Sequence, residues 1–129
     1  MSAPRVLQIG IDPSVVDFAP WPGQSAATLR ARLAQVEADL RGAGFEVTVC
    51  AVPDDADLAE AQVRRFLTAD AFDVIEIGSG LRTAPEYTEI FERVVTASHA
   101  LQPGVPLCFN DGPESTLATV QRALNRGGA

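Results

Sequence analysis

The chain has 129 residues, is 47% hydrophobic and carries a net charge of −7, which suffices for one domain with one core. An acidic balance with no basic stripe excludes nucleic-acid backbones and anionic membrane surfaces as partners. No apolar run approaches the roughly 18–20 residues of a bilayer crossing, and the absence of any lysine excludes Schiff-base chemistry, a Walker lysine and a lysine general base.

The opening MSAPRVLQIGID lacks a signal peptide's order of segments, so a cytoplasmic location is expected. Arg5–Ile11 (RVLQIGI) predicts a strand. A connector then carries Val15, Val16, Phe18 and Trp21 among prolines 13, 20 and 22. It is much longer than the 2–6 residues usual between strand and helix. Three roles fit it: a cap packed over the sheet end, a subunit contact, or a lid with Trp21 stacked on a ligand. Ser25–Arg41 predicts a helix with Leu29, Leu33, Val36 and Leu40 on one stripe.

Phe45–Val52 predicts a second strand, with Phe45, Val47, Val49 and Ala51 on one face and Glu46, Thr48 and Cys50 on a wet one. Asp57 is the expected cap of a helix over about residues 58–69, with Val63, Phe66 and Leu67 inward. Phe72–Gly78 reads as a central strand. Thr83, Pro85 and Glu86 have the spacing of a capping box, opening a helix to about Leu101. Late in that helix, His99 suits the negative helix end. Val105–Asn110 predicts a short strand, at an edge because Pro106 cannot donate to a ladder. The last helix starts near Asp111–Pro113 with Leu117, Val120, Gln121 and Leu124 as its stripe, and residues 126–129 are expected to fray.

The alternation predicts an α/β fold, a single three-layer αβα domain over residues 1–129. Its four-stranded parallel sheet has the order 2-1-3-4. Strands 2 and 4 become open edges, and a homodimer would cover that liability. Cys50 and Cys108 fall in strand-like runs, outside any CxxC pair, and with the lone His99 complete no metal site. Buried free thiols are the expectation.

Ligands of such sheets sit beyond the carboxyl ends of the strands where the winding reverses, here between strands 1 and 3. Two segments meet there. Asp12 and Ser14 follow strand 1, and Gly78, Ser79, Gly80, Arg82 and Thr83 follow strand 3. The glycines allow positive φ, successive amides form an anion nest, and the hydroxyls and Arg82 add donors for a phosphate or carboxylate. Asn110, ending strand 4, and Trp21 complete the expected ligand-binding set.

Counting back two residues from Gly10 and from Gly78 places Gln8 beside Glu76 on one face, with Asp12 continuing it. A glutamate there needs a hydrogen bond, an ion pair or a proton. The expected solution is a Gln8–Glu76 hydrogen bond. The functional alternative makes Glu76 an acid or base of raised pKa with Asp12 as its partner.

The βα pattern resembles the flavodoxin-like and response-regulator-like families in architecture over nearly the whole chain. Their motifs are missing. A receiver would need an acidic pair after strand 1, an aspartate ending strand 3 and a later lysine. Here only Asp12 stands for the first, Gly78 ends the third strand, and there is no lysine. DPSVVDFAPWPG replaces a flavodoxin's Ser/Thr-rich phosphate loop, and GxGxxG is absent, so neither flavin nor dinucleotide is implied as cofactor. VLQIGIDPSVVDF, EIGSGLR and PLCFND are similar to a group of short bacterial α/β proteins, a likeness that implies no active site. Three functions follow: a binder of an anionic small molecule at the strand 1/strand 3 switch point, an oligomerising interaction or structural module, or a small enzyme using Asp12 and Glu76.

Overall fold

The computed structural model describes residues 3–127. Its central strand, β1 (Arg5–Ile11), pairs in parallel with β2 (Glu46–Val52) on one side and β3 (Val74–Ile77) on the other; β3 pairs with β4 (Leu107–Phe109). The order β2-β1-β3-β4 makes a flavodoxin-like three-layer sandwich, with helices on both faces. Among the described residues no helix is long and apolar enough to cross a membrane.

Period-two alternation along β1 and β3 sorts their side chains into two layers. Leu7, Ile9, Ile75 and Ile77 point to α2 (Ala56–Ala69) and α4 (Thr88–Leu101), where Val63, Leu67, Ile90 and Val94 meet them. Val6, Val74 and Cys108 point to α1 (Ala26–Gly42) and α5 (Thr116–Gly127), against Val36, Leu40, Val120 and Ala123. Each such Val, Leu or Ile contributes roughly 1.5–3 kcal/mol when fully buried. The second layer ends early. Val36 and Leu40 are buried, but Leu29 and Leu33, on the same stripe nearer the start of α1, are only half-buried. Opposite them, Val49 is 47% exposed. The first half of α1 therefore stands away from the sheet.

That gap corrects the expected β2 pattern. Val47 is buried, yet Val49 and Ala51 are exposed, while Cys50 and Val52 are buried against the α2 side. The wet face is the one under the raised half of α1. The open edge of β2 is also protected: Arg41 donates to the Val47 carbonyl at 3.1 Å and Gln62 to the Ala51 carbonyl at 2.7 Å. At the other edge, Pro106 offers only its carbonyl, which accepts from the Ile75 amide. Both thiols are buried and free.

Helix starts depart from the sequence expectation at two places. Asp55, not Asp57, caps α2; its extended backbone lets Oδ1 accept from the Leu58 amide at 2.9 Å. Asp57 lies in the first turn and pairs with Arg93 of α4. The Thr83–Glu86 capping box does not form, because Thr83 closes a five-residue helix, α3 (Ser79–Thr83), donating to the Ser79 carbonyl. A short 3-10 turn (Pro85–Tyr87) follows before α4 begins. In α5, Gln121 is exposed, and Ala123 takes its expected place in the core. The helix runs through Gly127, and of the tail expected to fray, residues 128 and 129 lie outside the described residues.

Replacing Asp55 by Ala is expected to cost about 1 kcal/mol in denaturant unfolding. Asp57→Ala, which removes only an exposed pair, should change stability by less than about 0.5 kcal/mol. Equal effects of the two would contradict the capping assignment.

Candidate functional site

The gap under α1 opens into a cleft of about 750 Å³ above the carboxyl ends of β1, β2 and β3. Its floor is the sheet, with Gln8, Gly10, Val49, Ala51, Glu76 and Gly78. Its roof is the raised half of α1, with Leu29, Arg30, Arg32 and Leu33. The connector after β1 forms the outer wall through Val16, Phe18 and Trp21, and Asn110–Pro113 closes the far end. The volume lies in the range of small-molecule sites, and the side chains facing it are largely apolar.

The connector has a definite shape. Asp12 accepts from the Ser14 amide and hydroxyl, both at 2.9 Å, starting a 3-10 turn (Pro13–Val15). The Trp21 amide then bonds to the Phe18 carbonyl and the Gln24 amide to the Trp21 carbonyl, with Gly23 at φ +85°, a left-handed value that favours glycine. Val15 and Val16 pack against the core. The apolar content of this long connection thus divides between packing against the core and walling the cleft. Trp21 remains 51% exposed at the rim.

Gly10 matters by what it omits. A side chain built there would meet nothing within 4 Å, so no packing in the protein requires a glycine. Its missing Cβ leaves the cleft floor open beside Gln8.

At the inner end stands Glu76. The register pairs Gln8 with Glu76 and Glu76 with Cys108, as counting back from the glycines predicts. The expected hydrogen bond from Gln8 is absent. Glu76 is 0% exposed, and neither carboxyl oxygen has a partner among the described residues. Burial disfavours the charged form and pushes its pKa up to about 8. The neighbouring Cys108 thiol is pushed up to about 12, by its own burial and then by Glu76. Gln8, at 7% exposure, is the polar neighbour that still meets solvent.

Asp12 behaves in the opposite way. Its hydrogen bonds from Ser14 hold its pKa below the usual carboxylate range, aided by Arg30 at 3.8 Å. Two ion pairs tie the raised half of α1 to the sheet exits: Arg30 to Asp12, and Arg32 to Glu114 through two bonds of 2.9 and 2.7 Å. Both are solvent-accessible and contribute little to stability.

The segment after β3 does not have the predicted nest geometry. Gly78 has φ −68°, and neither it nor Gly80 has positive φ. The Ser79 amide donates to Asn110 Oδ1 at 2.8 Å, and Arg82 donates to the Asn110 carbonyl at 2.7 Å. Asn110 Nδ2 donates to Thr116. Asn110, expected as a ligand contact, borders the cleft and also joins the β3 exit to the start of α5. Of the sequence-predicted site residues, Asp12, Trp21, Glu76, Gly78, Ser79, Gly80, Thr83 and Asn110 border the cleft; Ser14 and Arg82 do not. His99 is exposed in the last turn of α4. Sequence reasoning missed the roof, Leu29, Arg30, Arg32 and Leu33, because a ligand-facing half-stripe has the same period as a core-facing one.

A second depression, about 440 Å³, lies between the ends of α2 and α4. Gln102 occupies its polar chemistry, donating to the Leu67 and Asp70 carbonyls and accepting from the Phe72 amide. No protein-family model matches the chain, and no curated protein matches it in sequence.

The Glu76 shift has a definite sign. The pKa is raised on folding, so the stabilising contribution of the protonated form is complete below the unfolded value, near 4.5, and is lost as pH rises through about 8. That loss is on the order of 4 kcal/mol. Glu76→Gln, which mimics the protonated group, should therefore gain on the wild type by about 1.4 kcal/mol per pH unit between pH 5 and 8. Parallel pH profiles of unfolding free energy for the two proteins would contradict an isolated, buried carboxyl.

Proposed function

We propose that the protein binds a small molecule in the cleft between α1 and the sheet, at the β1/β3 switch point. The supporting observation is Glu76, a buried carboxyl that borders the cleft and has no hydrogen-bond partner among the described residues. Proteins satisfy nearly all buried polar groups, and an orphan costs about 1–3 kcal/mol or more. A ligand that supplies the missing hydrogen bonds recovers that cost, while Leu29, Leu33, Phe18 and Val49 receive an apolar body.

The polarity of the cleft bears on the ligand's charge. Asp12 and Asp111 border it with lowered pKa values, and Glu37 adds a third acidic side chain, whereas Arg30 and Arg32 are paired. The anionic ligand expected from the Gly78–Thr83 segment retains Gly80 and Thr83 as lining groups, but Ser79 and Arg82 already serve Asn110. The cleft therefore favours a neutral or donor-bearing ligand over a phosphate or carboxylate. Catalysis by Asp12 and Glu76 has less support, since Asp12 is committed to Ser14 and Arg30.

A homodimer is the second reading, favoured by Trp21 and Val49, which expose apolar surface at the same rim. A second copy there would cover the cleft mouth, so ligand and dimer would compete. The cytoplasmic assignment draws support from two unpaired thiols, the state a reducing compartment maintains.

Gly10→Val tests the binding reading. The first side-chain atom enters empty space, and Val suits a strand better than Gly, so the variant should melt at or above the wild-type temperature. In an NMR fragment screen, compounds that shift amides of Gln8–Asp12 and Gly78 in the wild type should lose at least about tenfold in affinity for the variant. Equal affinities for both proteins, or no shifts in the wild type, would overturn the reading.

A further inference from the structure

We propose that the ligand carries an amidine-type edge, two coplanar N–H groups on a cationic amidinium or guanidinium, and that Glu76 receives it as a carboxylate. The inference rests on the small-molecule reading above and names its chemical class. Both Glu76 oxygens lack partners among the described residues, and they belong to one planar group. Two acceptors in a plane match two parallel N–H donors, the fork geometry that makes Arg–carboxylate pairs strong. A carbonyl or carboxylate ligand would instead face lone pairs or a single hydroxyl proton.

The surroundings select for the same class. Phe18 and Trp21 line the cleft and suit a flat, aromatic body. Of the charged side chains that border it, Arg30 is paired with Asp12, Arg32 with Glu114 and Glu37 with Arg41, which leaves Asp111 to lower the cost of bringing in a cation. Glu76 has no water-accessible surface, so docking requires a rotamer change of the adjoining Gln8 side chain, whose own carbonyl can accept from the ligand.

Binding is then coupled to a proton. In the empty cleft Glu76 holds its proton up to about pH 8. An amidinium arrives already protonated, so forming the ion pair expels the Glu76 proton to solvent, and net charge is conserved. Other titratable and charged groups face the site from each element packed around it. On β4, Cys108 is a thiol of pKa about 12; on β1, Gln8 does not titrate; Asp12 and Asp111 have lowered pKa values. Arg30 and Arg32 of α1 are held in ion pairs with Asp12 and Glu114, and Arg122 and Arg126 of α5 lie near Cys108. Glu37, the remaining charged group of the roof, is partly exposed and paired with Arg41.

Isothermal titration of the full chain with benzamidine and phenylguanidine tests this, with benzylamine, benzamide and benzoate as comparators. The amidine-type compounds should bind at least about tenfold more tightly than any comparator, release about one proton at pH 7, and gain about tenfold in affinity per pH unit from 5.5 to 7.5. Glu76→Gln should abolish that pH dependence and the proton release while keeping its fold, checked by its amide NMR spectrum. Neutral fragments that bind the wild type, are blocked by Gly10→Val and ignore Glu76→Gln would leave the cleft a binding site and overturn the amidine assignment. Benzylamine matching benzamidine would overturn the paired-donor geometry. Tightest binding by benzoate would overturn the cation.

Discussion

β1 is hydrogen-bonded in parallel on both sides, and the functional arrangement descends from that pairing. Its register with β3 sets Gln8 against Glu76 and brings the exits at Gly10 and Gly78 side by side. Its register with β2 sets Gln8 against Val49, on the face that α1 leaves uncovered. A one-residue slip in the β1–β3 register would turn Glu76 toward the apolar layer of α2 and α4.

The sandwich has two unequal halves. On the α2/α4 side the core is continuous from Leu7 to Ile77, and β1 and β3 present unbroken apolar residues to it. On the α1/α5 side it closes only over the amino-terminal half of the strands, through Val6, Val47 and Val74. Beyond that line the same sheet face carries Gln8, Gly10, Val49, Glu76 and Gly78, and the helix above it withdraws. Burying a carboxyl at that boundary weakens the fold unless a proton or a ligand compensates. On the proposed binding function, the arrangement would exchange some stability of the empty protein for affinity toward a ligand that completes Glu76.

Much of this was legible in the chain. The βα alternation and Pro106 led to the strand order, and counting from two glycines placed Gln8 beside Glu76. What stayed hidden depends on tertiary placement. Leu29 and Leu33 share a period with Val36 and Leu40, so periodicity cannot say where along the helix contact with the sheet ends. The glycines of Gly78–Gly80 permit positive φ but do not require it, and the chain adopts an ordinary helical turn whose first amide Asn110 occupies. Asp55 and Asp57 are both acceptable caps by type; the extended backbone at Asp55 selects between them. Gln8 and Glu76 sit at paired positions in the register, yet pairing of Cα atoms does not guarantee that their side chains bond.

The account stands on the protonation of one side chain, and a carbon-detected NMR titration of the Glu76 carboxyl in the ligand-free protein measures it directly. A midpoint near pH 8 is expected, well separated from the surface carboxylates. A midpoint near 4.5 would mean that water or a partner already satisfies the group, and the cleft would lose its reason for a ligand.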